Sequence, residues 1–214
     1  MHSRFVPLLV LVLFGLAALL IQLNERKYTS DQGRLVVYEE AGRDAVILRW
    51  SSPVQAPMAR RFEEAYTQWK GKRSRFIIEL DSPGGAVAEG KRVIQLMERI
   101  KSSHDLEMRV GRGADCLSMC VPIYLQGDER IAHPRARFMF HEPATYDSFT
   151  DERVKEANFE RRFVADRFFD RYFVNSPMTP EWRSWLENEW VGKDVWKTGK
   201  ELVEEDSGVV TVLE

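Results

Sequence analysis

Three short segments between residues 79 and 143 carry side chains that can do chemistry together. The first, ELDSPGG, closes a predicted strand with two glycines; the second, ADCLSMC, contains Ser118; the third, ARFMFHEP, contains His141. A serine hydroxyl is a weak nucleophile until a base takes its proton, and histidine is the most frequent base. The N–H groups of Gly84 and Gly85 can point at a ligand, because glycine adopts dihedrals that other residues avoid. The order therefore predicts an oxyanion hole, a nucleophile and a base, as in a serine hydrolase.

The chain has four histidines, which limits the choice of base. His2 precedes the apolar N-terminus, His104 lies in the polar turn SSHD, and His133 comes before the next predicted strand. His141 ends that strand and is followed by Glu-Pro, so its ring is held at a sheet edge. Ser118 falls at the start of a short predicted helix, where free N–H groups and the positive dipole end favour a developing oxyanion.

The elements around these motifs alternate between strands and helices. Seven β-rich runs predict strands: RLVVYEE, DAVILRW, RFIIEL, LEMRV, ERIAH, RARFMFH and, in the C-terminal tail, VVTVL. Helical periodicity predicts helices over 57–70, 86–102 and 151–174, with another beginning at Thr179. Strand–helix–strand order implies crossover connections and a largely parallel sheet. We therefore predict an α/β domain over residues 34–214, with 151–190 as a helical excursion.

The N-terminus differs from the rest of the chain. Residues 5–23 are apolar apart from Gln22, about the ~20 residues needed to cross a bilayer. This predicts a membrane anchor over 1–24, with a cleaved signal segment as the alternative, and a polar linker over 25–33. Flanking basic residues do not decide the orientation. A leading segment of this kind favours export, so we expect a single-pass inner-membrane protein with a periplasmic domain.

The composition is that of a globular domain. The chain has 214 residues, 44% hydrophobic and 30% charged, with 31 basic and 33 acidic residues dispersed along it. The sequence has no basic patch of the kind that binds nucleic acid, so we expect no nucleic-acid partner.

The three motifs resemble those of a known family. ELDSPGGAV, CLSMC and RFMFHEP are similar to motifs of the Clp protease proteolytic-subunit (ClpP-like) family, within the crotonase-like superfamily, and the likeness extends over roughly residues 43–212. The resemblance implies a spiral of ββα units. The transmembrane helix expected from the apolar N-terminus would precede this spiral and departs from the family pattern. The family likeness also implies peptide-bond hydrolysis in a protein or peptide substrate, with no metal or other cofactor, and a homo-oligomeric assembly.

The resemblance also implies roles for particular residues. It places the oxyanion donors at the N–H groups of Gly84 and Met119, with Gly85 and Ala86 beside the substrate. The segment DVWKTGKEL implies Asp194 as the third triad member. Three other acids remain alternatives for that role: Glu187, Glu189 and Asp170.

Two cysteines depart from the family pattern by flanking the nucleophile. Cys116 and Cys120 are four residues apart, close enough near a helix start for a disulfide. Two free buried thiols are the alternative, and a CxxxC metal site is weakly supported, because no second ligand pair is near. Export favours the disulfide.

Two other functions stay open at this point. LDSPGG also resembles membrane-bound signal-peptide peptidases, which use a Ser–Lys dyad; against this, Lys101 is the sole lysine between Arg92 and Lys155. The other alternative is a catalytically inactive, membrane-anchored ClpP-like scaffold.

Overall fold

The computed structural model describes residues 35–40, 42–144 and 158–214. The strands in these ranges are β1 Leu35–Glu39, β2 Ala45–Trp50, β3 Arg75–Leu80, β4 Asp105–Val110, β5 Asp115–Leu117, β6 Glu129–Ala132, β7 Arg137–Phe140, β8 Val195–Thr198 and β9 Val212–Leu213. The helices are α1 Met58–Trp69, α2 Val87–Lys101, α3 Cys120–Tyr124, α4 Asn158–Tyr172, α5 Pro180–Glu189 and α6 Gly199–Glu204.

The strands form two sheets. The larger has the order β1-β2-β3-β4-β6-β9, and the smaller has the order β5-β7-β8. All pairs in the larger sheet are parallel except β1 with β2. The predicted α/β class is confirmed, but the strands divide between two sheets. The division was not foreseen because β5 is only three residues long and β8 lies in a segment for which no strand was predicted.

The core explains why these segments pair. Strands β2 and β3 are almost continuously apolar and buried, as expected for parallel strands covered on both faces. Helix α1 buries Met58, Phe62 and Ala65, which recur at the spacing of one helical face. Parallel strands bring their carboxyl ends to one sheet edge, where ligand sites lie in open α/β sheets. The glycine loop after β3 lies beside the segment that carries Ser118 because Ser82 forms a parallel bridge with Cys116, which links the two sheets.

Part of the predicted organisation lies outside the described residues. This applies to the membrane segment at 1–24, the linker at 25–33 and the start of the helical excursion. Within the described ranges, no helix is long and apolar enough to cross a bilayer. The described part of the excursion contains α4 and α5. Phe173, just after α4, and Trp182 of α5 pack on Phe140 of β7, and Phe169 of α4 packs on Trp190, just after α5.

Candidate active site

Ser118 occupies a sharp turn between β5 and α3. Its φ is +53°, in the left-handed region that L-residues other than glycine rarely adopt. Its N–H donates to the carbonyl of Met139 at 2.8 Å, and its own carbonyl accepts from Val121 at 3.0 Å. The backbone is therefore fixed on both sides in an unfavourable conformation. Such strain persists only where the surrounding structure imposes it, and it is frequent at functional sites.

A disulfide brackets this turn. Cys116 and Cys120 are joined, with their Cα atoms 5.2 Å apart, and both residues are fully buried. Because both sulfurs are used in the bond, neither is a metal ligand here, unlike in the CxxxC alternative. Bridging hydrogen bonds from Ser82 to Asp115 and from Leu117 to Ser82 tie the same segment to the glycine loop. The nucleophile turn is thus held by covalent and backbone links.

His141 stands directly against the serine. Its Nε2 lies 2.7 Å from the Ser118 Oγ, a hydrogen-bond distance. In a neutral ring that accepts from the hydroxyl at Nε2, the proton sits on Nδ1. The Nδ1 atom lies 4.0 Å from an Asp194 carboxylate oxygen. The arrangement allows the ring to take a proton from Ser118 while Nδ1 faces a negative charge.

The strand register explains the approach of Asp194. Strands β7 and β8 are antiparallel, with Phe140 opposite Val195, so the next positions outward are His141 and Asp194. The distance of 4.0 Å is too long for a hydrogen bond, and the Asp194 side chain is 57% exposed. Among the four candidate acids, Glu189 instead pairs with Lys193.

Gly84 packs against the nucleophile turn. A Cβ at this position would lie 2.5 Å from the Leu117 carbonyl and 2.6 Å from the Ser118 Cβ, and its φ is +86°. Only glycine allows this approach. Its N–H donates to the Ser82 Oγ at 3.2 Å, a hydrogen bond that competes with the predicted role of Gly84 as an oxyanion donor.

Two other N–H groups are better placed for that role. In the described part of the chain, the N–H groups of Gly85 and Met119 donate to no protein acceptor. Both residues line the cleft that contains Ser118 and His141, whereas Gly84 does not. The difference between the two glycines has a local cause: Ser82, next to the strand end, accepts the hydrogen bond of the first glycine N–H.

The cleft has a volume of about 650 Å³ and a partly apolar wall. Gly85 and Ala86, predicted to contact the substrate, line it together with Asp194. Phe168 of α4 also lines it, which sequence reasoning missed, because a helical aromatic pattern does not reveal which surface it covers. The remaining lining residues are Pro83, Val87, Met139, Pro143 and Ala144.

A serine on a strained strand-to-helix turn, paired with a histidine beside free N–H groups, is the arrangement that serine hydrolases use. The Clp protease family model matches residues 44–161, more than half of the chain. The chain therefore belongs to the Clp protease family, and the resemblance seen in the motifs is confirmed. Membership of this family suggests a peptidase.

The fold is also similar to that of a solved structure. A mutant of ClpP1 from Listeria monocytogenes matches with a TM-score of 0.60 and 17% sequence identity, covering 78% of this chain and 90% of that chain. At this identity the likeness shows the fold. No curated protein matches this chain.

Proposed function

We propose that the protein is a serine peptidase that hydrolyses peptide bonds through Ser118, His141 and Asp194. The observation that carries the proposal is the 2.7 Å contact between the Ser118 Oγ and the His141 Nε2. The base nitrogen must lie within about 2.6–3.2 Å of the oxygen whose proton it removes, and this pair meets that condition. Family membership supports the peptide bond as the target.

In the proposed reaction, the Ser118 Oγ attacks the substrate carbonyl carbon as His141 takes the hydroxyl proton at Nε2. The N–H groups of Gly85 and Met119 stabilise the carbonyl oxygen as it becomes negative. His141 then gives its proton to the leaving amine, and the C–N bond breaks to leave an acyl-enzyme on Ser118. A water molecule then attacks the ester carbon as His141 takes its proton, and His141 returns that proton to the Ser118 Oγ as the ester C–O bond breaks. The Asp194 carboxylate stabilises the imidazolium in both steps.

The two alternatives have less support. A Ser–Lys dyad needs an amine at the serine, but the Lys101 Nζ lies 3.0 Å from an Asp128 carboxylate oxygen and donates to the Gln126 carbonyl. An inactive scaffold has no need of a strained serine in contact with a histidine. Both observations favour the peptidase.

We also propose that residues 1–24 anchor the protein in the inner membrane with the catalytic domain in the periplasm. The Cys116–Cys120 disulfide supports an oxidising compartment, because such bonds are rare in cytosolic proteins. A homo-oligomer acting on protein or peptide substrates remains part of the proposal through the family likeness.

A fluorophosphonate probe tests the proposal without a known substrate. We expect it to label Ser118 in the full-length chain, as located by peptide mass analysis, and Ser118→Ala to remove labelling. His141→Ala should lower hydrolysis of a fluorogenic peptide mixture by about 10⁶-fold. A chelator should leave the rate unchanged. An unlabelled wild-type protein, or full hydrolysis by Ser118→Ala, would refute the mechanism.

A further inference from the structure

A buried carboxylate sits next to the proposed base without a role in the reaction described above. Glu142 follows His141 directly, yet it is only 4% exposed. A buried carboxylate is costly unless hydrogen bonds or a cation compensate for its lost hydration. Its contacts therefore indicate what the residue does.

Within the described residues, two contacts of Glu142 lead to other segments around the site. Its Oε2 accepts a hydrogen bond from the Gly192 N–H at 3.1 Å. The same oxygen lies 3.7 Å from the Nε of Arg161, which belongs to α4. One carboxylate thus joins the end of β7, the turn before β8 and the helical excursion.

The turn that Glu142 contacts is the one that carries Asp194. The β7–β8 ladder ends at the pair Phe140 and Val195, so the backbone beyond it needs another support. Gly192 has a φ of +70°, and the Lys193 N–H donates to the Trp190 carbonyl at 3.2 Å. The hydrogen bond from Gly192 to Glu142 supplies the link back to the strand of His141. It extends the strand pairing by a side chain where the ladder has stopped.

Asp194 depends on this link. Its side chain is largely exposed, and its nearest approach to the His141 ring is 4.0 Å, so no hydrogen bond between the two holds it in place. Its position relative to the ring is set by the backbone of its turn. A shift of about 1 Å in a catalytic group is enough to cost about 10²-fold in rate.

We propose that Glu142 is a positioning residue that fixes the Gly192–Asp194 turn against His141 and so acts on the reaction through Asp194. The inference rests on the proposed function of the Ser118 site.

The test measures inactivation of the full-length protein by a fluorophosphonate, which separates the maximal rate, kinact, from probe binding, KI. We expect Glu142→Ala to lower kinact by about 10²-fold with little change in KI. Glu142→Gln keeps a carbonyl oxygen for the Gly192 N–H and should restore most of kinact. In an Asp194→Ala background, Glu142→Ala should cost less than about threefold, because its effect passes through the missing carboxylate.

Glu89 provides a matched control. It is also buried, accepts one backbone N–H, from Ala59 at 2.8 Å, and pairs with one arginine, Arg92. Glu89→Ala should lower the melting temperature as Glu142→Ala does, yet leave kinact within about twofold. Hydrogen exchange of the Gly192 amide should speed up in Glu142→Ala and stay slow in Glu89→Ala.

The outcomes separate the two proposals. If wild-type protein is labelled but Glu142→Ala keeps its kinact, or if its effect multiplies fully with that of Asp194→Ala, the positioning role is wrong and the peptidase stands. If Glu142→Gln is as slow as Glu142→Ala, the hydrogen bond to Gly192 is not the cause. If wild-type Ser118 is not labelled at all, the peptidase proposal fails and the positioning role fails with it.

Discussion

The backbone strain at Ser118 leads to a quantitative prediction about stability. Ser118→Ala and Ser118→Gly both remove the hydroxyl and its hydrogen bond to His141, so both should abolish activity. They differ in one respect, because alanine keeps a Cβ at a φ of +53° and glycine does not. The difference between the two variants therefore isolates the cost of placing a side chain in this turn.

The expected magnitude follows from two opposing terms. A left-handed conformation costs a non-glycine residue about 1–2 kcal/mol. Glycine loses about 0.4–1 kcal/mol through the greater entropy of its unfolded chain. The glycine variant should therefore be about 0.5–1 kcal/mol more stable than the alanine variant. For a domain of this size, this corresponds to a melting temperature about 1–4 °C higher.

The free energy of unfolding of each variant, with the Cys116–Cys120 disulfide intact, is measured by chemical denaturation and compared where the m-values are equal. Thermal melts then give the melting temperatures. Asp206 is the matched control, since it is the other non-glycine residue of the described ranges with a positive φ, at +48°, and it takes no part in the proposed site. Asp206→Gly should likewise be more stable than Asp206→Ala, with labelling of Ser118 unchanged. If the glycine variant is more stable than the alanine variant at position 206 but not at position 118, the inference that the Ser118 backbone is strained is refuted.

Three further predictions concern the turn, the cysteines and the acid. Gly84→Ala would place a Cβ 2.5 Å from the Leu117 carbonyl oxygen and should lower fluorophosphonate labelling by about 10²-fold. Gly113 is the control, because it also has a positive φ but lies in open space. Gly113→Ala should cost about 1–2 kcal/mol of stability and leave labelling unchanged. In intact cells, Cys116 and Cys120 should resist alkylation until the disulfide is reduced. Reduction should slow fluorophosphonate labelling of Ser118 markedly but change the melting temperature little. Readily alkylated thiols would contradict the periplasmic location. Asp194→Asn should lower peptide hydrolysis by up to about 10⁴-fold without loss of stability, because the side chain is exposed; an unchanged rate would exclude Asp194 as the third member of the triad.

Local sequence determined the elements and the main pair of the candidate site. The continuous apolar runs of β2 and β3 predicted strands covered on both faces, and the apolar periodicity of α1 predicted a helix that buries one face. The motifs also singled out Ser118 and His141 as a nucleophile and a base. Their 2.7 Å contact agrees with that prediction in geometry, although the reaction itself stays a proposal.

Other features depended on contacts between segments distant in the chain. Whether Gly84 or Gly85 offers a free N–H depends on Ser82 and on pairing with Val54, since a backbone donor points where its dihedrals and partners direct it. Strand β5 forms because its three residues pair with β7. No pattern in the local sequence predicts this pairing.

The surroundings of His141 were decided in the same way. Asp194 approaches the ring through the β7–β8 register, and the buried Glu142 finds its partners in Gly192 and in Arg161 of α4. Residue type and spacing thus determined which groups can react, because the reactivity of a group depends on its own side chain. The tertiary structure decided which hydrogen bonds those groups make, because each needs a partner supplied from elsewhere in the fold.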